Sequence, residues 1–460
     1  MRRTTTKYNL DEKVQFNSTV ISTVWNDSTS KWQIKIRSSD GGVRDDTADI
    51  LINGSGILNS WNWPGIPGLH SFQGTLVHSA AWDPAIDWTG KRVALIGNGS
   101  SGIQIMPKVQ QAAKHVVTYI RNPTWIAPSM VSEDGKPPMY TNEYQQHLRE
   151  NPQELRDLRR GIESHVNRFF LMLLKGTPEQ VAVQEETTAV MKQRLGDNPD
   201  LHDKLIPKWQ LGCRRLTLGE GYLEALQKPN VTVEMSPIQQ VTNRGIVTTN
   251  SVEEFDIIIC ATGFDVSFAP LWELVGKDGI RLADQWRDSP EAYFGVCAPN
   301  MPNYFIFNGP NCPAGHGNLL SAMDWMADYI LRWCRKIAEE DIKYVRFISY
   351  TGNQQADYGY SYRTVQVRQD ATDDYNTYSQ EFMKRTAWSS GCRSWYKRGT
   401  VDGRVTAMYA GSLNHYRQML GNFRTEDFII DYRSPNRFRF MGNGLTIAEE
   451  KREDFADYMN

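Results

Sequence analysis

The sequence has no apolar run near the ~20 residues needed to span a bilayer. Its greasiest stretch, RFFLMLL at 168–174, is far too short and reads as a core or pocket-lining segment. An excess of charge is also missing. The formal net charge is -2 over 460 residues, which gives no electrostatic case for nucleic acid or an anionic membrane. The first residues, MRRTTTKYNLDEK, lack the apolar core of a secretory signal, and Asp11 and Glu12 come too soon for a transit peptide. The six cysteines (213, 260, 297, 312, 334 and 392) form no C-x-x-C pair. Their scatter predicts free thiols in a reducing, cytoplasmic setting rather than a disulfide framework or a zinc site. No Ser-His-Asp arrangement and no metal-ligand spacing stand out, and there are no repeats. What remains is ordinary globular material, 40% hydrophobic and 23% charged, long enough for two or three domains.

The first ninety residues read as β-rich. VQFNSTVISTVWN and KWQIKIRS flank a polar turn as hairpin strands do, and ADILINGSGIL (48–58) reads as a further strand. WNWPGIPGL (61–69) is loop, punctuated by Pro and Gly. KRVALIGNGSSGIQI (91–105) is a strand, a Gly-rich turn and a helix start, followed by a second strand, HVVTYI (115–120). A polar, helical stretch at about 140–205 looks like an insertion. EFDIIICATGFD (254–265) is a buried strand entering a Gly turn, and the segment from Asn303 to Ile337 reads as strand, loop and long amphipathic helix. Strands alternating with helices predict an α/β fold.

Gly97, Gly99 and Gly102 stand in G-x-G-x-x-G spacing, with Asn98, Ser100 and Ser101 between them. The first Gly permits the tight turn, the second lets a pyrophosphate approach the backbone, and the third lets helix and strand pack closely. The helix start then offers free N–H groups and the positive end of its dipole. The motif therefore predicts a dinucleotide site. An acid at the end of the second strand would select NAD, and a cation the 2′-phosphate of NADP. Here the strand ends in Arg121, 24 positions after Gly97, followed by Asn122, with no acid nearby. That predicts NADPH, unless Arg121 is merely an exposed loop cation.

Immediately upstream, FQGTLVHSAAWD supplies Phe72, Gly74, His78, Trp82 and Asp83. It resembles F-x-G-x-x-x-H-x-x-x-W-[PD], the signature of Baeyer–Villiger monooxygenases, flavoproteins with one FAD and one NADPH domain. Other stretches resemble the same family: CATGFD (260–265), GCRRLTLGEGYLEAL (212–226), RNPTWI (121–126), RSWYKRG (393–399) and NGPNCPAGHGN (308–318). Together they cover nearly the whole chain and look most like the branch found in fungal secondary metabolism. The resemblance implies two Rossmann-like domains, the FAD-type one truncated at its N-terminus. The segments would be 1–90 (FAD-type remnant and linker motif), 91–253 (NADPH domain with a helical insertion at about 140–205) and 254–460 (return of the FAD-type domain and C-terminal region).

The family's first G-x-G-x-x-G, for FAD, has no match here, and NGSG (53–56) cannot replace it because Pro and Trp follow. The chain begins at what resembles the middle of the FAD domain. Three expectations stay open. One is an FAD- and NADPH-dependent monooxygenase that inserts oxygen from O₂ beside a ketone to give an ester or lactone. Another is a flavin-free relative that isomerises or cyclises its substrate. The third is a non-catalytic NADPH-binding fragment or incomplete gene model. Under the first, the resemblance makes Arg215 the cation that stabilises a peroxide anion and the developing oxyanion, as a guanidinium can. Arg214 leans toward the 2′-phosphate; the plain alternative is that both open a solvated helix face. His78 and Asp83 either couple the domains or satisfy a turn. Trp395 contacts NADP and the substrate or is simply packed. Thr262 and Gly263, in the stretch that resembles the family's second linker motif, would bind cofactor, and His316, flanked by Gly315 and Gly317, would aim a helix N-terminus at the flavin. The partners implied are a small ketone and O₂, with no nucleic acid and no membrane span; the sequence does not fix the oligomeric state.

Overall fold

The computed structural model describes residues 2–127, 140–339, 364–432, 436–438, 441–453 and 455–456. In chain order it begins with α1 (Arg2–Lys7), β1 (Ser18–Asn26), β2 (Lys31–Ser38), β3 (Val43–Ala48), β4 (Leu51–Asn53) and β5 (Thr75–His78). Then come β6 (Arg92–Ile96), α2 (Ser100–Gln110), β7 (His115–Tyr119), the short β8 (Ile126–Ala127) and four helices: α3 (Asn142–Glu150), α4 (Pro152–Arg168), α5 (Pro178–Arg194) and α6 (Pro199–Leu205). The chain continues through β9 (Thr217–Leu218), α7 (Tyr222–Ala225), β10 (Val231–Glu234), β11 (Ile238–Val241), β12 (Gly245–Thr248), β13 (Val252–Glu254), β14 (Ile257–Cys260), β15 (Glu273–Val275) and α8 (Leu282–Gln285). The last described elements are β16 (Tyr304–Ile306), α9 (Leu319–Glu339), β17 (Thr364–Val367), α10 (Gln369–Met383), α11 (Leu413–Gly421), β18 (Phe428–Asp431) and α12 (Ile447–Lys451).

A five-stranded parallel sheet in the order β10-β7-β6-β14-β5 positions the site. All four residues of β14, and Val93 to Ile96 of β6, are buried. Such unbroken apolar runs belong to strands covered on both faces, which a parallel sheet requires. The β6–α2–β7 unit is the crossover expected from the Gly-rich turn. Strands from outside residues 91–253 also enter this sheet, since β5 and β14 lie beside β6.

The predicted hairpin is present: β1 and β2 pair antiparallel, and β3 and β15 extend them to a sheet in the order β15-β1-β2-β3. Where one strand was expected over 48–58, only the three-residue β4 (Leu51–Asn53) forms, after β3 has ended at Ala48. Leu51 leaves the antiparallel sheet to pair in parallel with Tyr304 of β16. Asn53 fixes that switch, because its Nδ2 donates to the Tyr304 hydroxyl at 3.0 Å. Trp32, fully buried, anchors the layers by donating from Nε1 to the Pro302 carbonyl at 3.0 Å.

The insertion is helical as its pattern predicts. Pro152, Pro178 and Pro199 open α4, α5 and α6 at a position that has no N–H to lose. Thr141, Thr177 and Asn198 cap α3, α5 and α6 through their side chains. RFFLMLL proves to be the end of α4 and a short 3₁₀ turn, with Met172 and Leu173 in the core and Leu171 exposed. Helix α9 buries Ala322, Met326, Tyr329, Ile330, Trp333 and Ile337, one stripe at helical spacing, against Leu413, Tyr416 and Leu420 of α11. Among the described residues no helix is long and apolar enough to cross a membrane.

Candidate functional site

In the parallel sheet Cys260 stands in register with both His78 and Ile96. The turns that follow β5, β6 and β14 therefore emerge side by side at the carboxyl edge, where α/β sheets bind ligands. Gly97 sits at φ 104°, and a Cβ there would lie 2.5 Å from the Ala261 carbonyl oxygen. A Cβ on Gly102 would lie 2.1 Å from the Gly97 carbonyl oxygen. Both glycines are thus required by packing. Gly99 differs: it precedes α2, and nothing lies within 4 Å of where its Cβ would be. It borders open space in front of the first N–H groups of the helix. Asn98 ties the turn down by donating from Nδ2 to the Asn122 carbonyl at 2.9 Å. Thr124 Oγ1 donates to the Asn98 carbonyl at 3.2 Å, and Ser100 Oγ bonds Thr217 Oγ1 at 3.1 Å. Ser101 occupies the first turn of α2.

Four arginines gather beside this turn. Arg214 Nη1 donates to the Pro123 carbonyl at 3.2 Å and to Thr124 Oγ1 at 3.1 Å, so the CRR segment is docked on the chain just after β7. Burial lowers the Arg214 pKa, and the charge of Arg121 lowers it further. Arg121, Arg215 and Arg393 are exposed and Arg214 is half-buried; partial desolvation lowers the Arg121 pKa, and the charge of Arg393 lowers it further. Tyr396, wholly buried, is raised by burial while Arg215 and Arg214 oppose the shift. Among the described residues none of Arg121, Arg214, Arg215 and Arg393 pairs with a carboxylate. Guanidinium groups remain charged under such shifts. Mutually repelling cations without counterions form a site for an anion, and the turn beside them can hold a pyrophosphate. Trp395, half-buried, packs edge-on against Tyr396 at 4.7 Å in the same wall.

The expectation of six free thiols is overturned here. Cys213 and Cys392 form a disulfide, their Cα atoms 6.2 Å apart. The other four cysteines are free. Sequence spacing cannot reveal this pair, because 179 positions separate the two residues. The bond ties the segment carrying Arg214 and Arg215 to the loop carrying Arg393 and Trp395. Arg393 and Tyr396 are members of the site that sequence reasoning did not single out. Their nearness to the conspicuous Trp395 was the available signal.

The linker residues form a packed corner. Gly74 lets Phe72 fold back, since a Cβ would meet the Phe72 ring at 2.6 Å and the Asp256 carbonyl at 2.5 Å. His78 is 1% exposed and stacks on Trp61 at 4.2 Å. Its Nδ1 accepts the Ala80 N–H at 3.2 Å, so the proton of the neutral ring resides on Nε2 and is donated to Thr262 Oγ1 at 3.2 Å. Burial lowers the His78 pKa, which keeps the ring neutral. Both nitrogens are satisfied. His78 thereby fixes Thr262 and, beyond it, Gly263, which sits at φ 97° with open space where a Cβ would be. Trp82 meets Trp88 edge-on at 5.9 Å. Asp83 is exposed and accepts the Ala85 N–H at 2.8 Å, a local turn contact.

The loop 308–318 holds a second polar concentration. His316 Nε2, Asn308 Oδ1 and Asn311 Oδ1 are buried and have no partner among the described residues. Burial pushes the His316 pKa down to about 4, and its ring packs edge-on against Phe170 at 4.9 Å. A Cβ on Gly315 would meet Met408 Sδ at 2.5 Å, and one on Gly317 would meet Leu413 at 2.6 Å. Asn308 and Asn311 were not anticipated; both adopt positive φ, a habit of Asn in tight loops. Buried polar atoms without partners are costly, and a bound polar group would satisfy them. No cluster of three or more metal-ligating side chains occurs among the described residues.

Comparison with known proteins gives a consistent picture. The family model described as flavin-binding monooxygenase-like matches residues 1–279. The FAD-binding monooxygenase tazF of Aspergillus terreus is 43% identical over 465 residues, covering 99% of this chain and 79% of that protein. The FAD-binding monooxygenase moxY of Dothistroma septosporum is 33% identical, covering 98% of this chain and 71% of its own length. Among solved structures, cyclohexanone monooxygenase from Rhodococcus sp. Phi1 bound to NADP+ superposes with a TM-score of 0.75 at 21% identity, over 94% of this chain and 83% of that one. The OTEMO complex with FAD and NADP gives 0.77 at 24% identity, over 94% and 84%. At these identities the two structures share the α/β fold with this chain.

Proposed function

The chain belongs to the flavin-binding monooxygenase-like family, and from that premise we propose that it is an FAD- and NADPH-dependent monooxygenase of Baeyer–Villiger type. It would insert one oxygen atom of O₂ beside the carbonyl of a small-molecule ketone, giving an ester or lactone in secondary metabolism. The observation that carries the reading is the group of four arginines, none of which pairs with a carboxylate among the described residues, beside an open Gly99. Two fungal relatives named FAD-binding monooxygenases, and solved structures holding FAD and NADP, support it.

The residues present fit NADPH and, at the flavin end, FAD; a Gly-rich turn for the FAD pyrophosphate is absent among the described residues. The cradle at Gly97, Asn98, Gly99, Ser100, Ser101 and Gly102 suits a pyrophosphate, since only Gly99 faces open space and α2 points its N-terminus there. Arg121 and Arg214, with Asn122 alongside, would hold the 2′-phosphate of NADPH, and Trp395 would cover its nicotinamide side. Thr262 and Gly263, beside the Gly97 turn, and His316, in the separate 308–318 loop, would face FAD, and the unsatisfied Nε2 of His316 has a bond to offer. In this reading 91–253 is the NADPH unit, to which β5 and β14 add strands, and 1–90 with 254–460 forms the FAD-type unit. When bound and reduced by NADPH, FAD would supply the activation of O₂. The chain supplies charge and orientation. Arg215 is the catalytic residue: it donates to the oxygen on which negative charge develops during the attack on the ketone. His78 is a positioning residue that holds Thr262.

The test is turnover. Purified chain, supplied with FAD and NADPH, is offered a panel of cyclic and aryl ketones, and esters or lactones are detected by mass spectrometry. Product from the wild type is expected. Arg215→Ala should lose roughly 10²–10³ of the oxygenation rate while NADPH is still consumed and hydrogen peroxide is released. A folded wild type that oxygenates none of the panel overturns the proposal, and equal oxygenation by Arg215→Ala removes the role given to that residue.

A further inference from the structure

Away from the nucleotide turn, a cleft of about 530 Å³ opens between α4 and the N-terminal ends of α9 and α11. Arg156, Arg159 and Arg160 line one wall. They fall at i, i+3 and i+4 on α4 and therefore share a face. Arg156 is held by Gln153 Oε1, a neutral acceptor, through Nε at 3.0 Å and Nη2 at 2.7 Å. Arg159 and Arg160 are exposed and have no hydrogen-bond or ion-pair partner among the described residues. One carboxylate, Glu163, also lines the cleft, and its Oε1 is engaged by Asn318 Nδ2 at 3.0 Å. The cleft wall therefore carries three cations against one anion. The first turn of α9, entered by Asn318 and Ser321, and that of α11, entered by Leu413 and Asn414, present their positive dipole ends to the same space.

The floor of the cleft meets the loop 308–318. Asn167 and Leu413 line the cleft, and they are also the side chains that crowd Gly317, at 3.2 and 2.6 Å from where its Cβ would be. His316, one residue away, is the group assigned above to the edge of FAD. Trp325 and Leu413 give the cleft an apolar side.

We infer that this cleft admits the substrate and selects an anionic one: an aryl ketone that carries a carboxylate remote from its carbonyl. The carboxylate meets Arg156, Arg159 and Arg160, the apolar body lies along Trp325 and Leu413, and the ketone points toward the 315–318 loop. That the ligand is the substrate rests on the ketone reading above; that the cleft binds a carboxylate does not.

The probes are 4-acetylbenzoate and 5-oxo-5-phenylpentanoate, each against its uncharged methyl ester. Binding is measured by calorimetry on the FAD- and NADP-supplied chain at low salt, and turnover is measured in parallel. At least one acid should bind roughly five- to tenfold more tightly than its ester, with the preference fading as salt rises. Arg159→Gln with Arg160→Gln should abolish that preference. Arg149→Glu, which changes the net charge equally but lies on α3 away from the cleft, should retain it, and thermal melting checks that all three proteins fold. Equal binding of acid and ester in the wild type, or a preference that survives in the double variant, overturns the inference. If ketones are oxygenated without regard to the carboxylate, only this inference fails. If acids bind preferentially but no ketone is oxygenated, the reaction assignment fails and the anion-binding cleft stands.

Discussion

Cys213 and Cys392, 179 positions apart in sequence, are joined by a disulfide that pins Arg214 and Arg215 to the loop bearing Arg393 and Trp395. The cation cluster is therefore assembled across a covalent bond as well as by packing. Arg214 adds a second tie through Thr124, so three separate stretches converge on one patch of charge.

The disulfide makes two measurable predictions. Alkylation of the denatured, unreduced chain should label four of its six cysteines, those at 260, 297, 312 and 334. Cys392→Ser should lower stability by about 2–5 kcal/mol, the range for bonds that close long loops, and should weaken nucleotide binding. Six labelled cysteines in the native preparation would refute the pairing.

Arg121 should decide between the two nicotinamide cofactors. Its neighbours are Arg214 and Arg393, and no carboxylate competes for it among the described residues. Arg121→Ala should weaken NADPH binding roughly ten- to a hundredfold, the worth of a charge-assisted hydrogen bond, and leave NADH binding almost unchanged. Equilibrium titration of both nucleotides checks this. Equal losses would show that Arg121 does not read the 2′-phosphate.

The glycines of the turn should separate in mutagenesis. Gly99 has an extended backbone and open space around its missing Cβ, so Gly99→Val should fold normally yet fail to bind nucleotide. Gly102→Ala places a methyl 2.1 Å from the Gly97 carbonyl oxygen and should destabilise the fold by ~3 kcal/mol or more. Thermal denaturation beside NADPH titration distinguishes the two. A Gly99→Val protein that still binds NADPH would move the site elsewhere.

His316 should contribute a pH-dependent term to stability. Burial pushes its pKa in the folded chain down to about 4, from the ordinary histidine value of about 6.5. Between those values the unfolded chain takes up a proton that the folded chain refuses. Stability from this group is therefore complete above about pH 6.5 and is lost as pH falls toward 4, by up to about 3 kcal/mol. As pH falls through this window, wild type should lose stability relative to His316→Gln, read from the difference between their urea midpoints. A pH profile identical in shape for the two proteins would mean that His316 is not held neutral by burial.

The sequence by itself determined the local elements, because their signals are local. The β6–α2–β7 unit follows from an apolar run, three spaced glycines and a helix start. The insertion helices follow from Pro at their first positions and Thr or Asn caps. The wide coverage of the family motifs likewise made the α/β architecture legible. Tertiary structure decided what depends on distant partners. It shortened the strand expected over 48–58 to Leu51–Asn53, which pairs with β16 while Asn53 bonds Tyr304. It joined Cys213 to Cys392, which no spacing rule could pair. It separated the three glycines into two that packing demands and one that faces open space, although all three look alike in sequence. His78 and His316 also look alike as lone histidines; one has both ring nitrogens satisfied and the other a buried nitrogen with no partner. Periodicity and caps act over a few residues, and a sequence displays them. Burial, charge clustering and hydrogen-bond satisfaction are properties of neighbours in space, and only the folded chain brings those neighbours together.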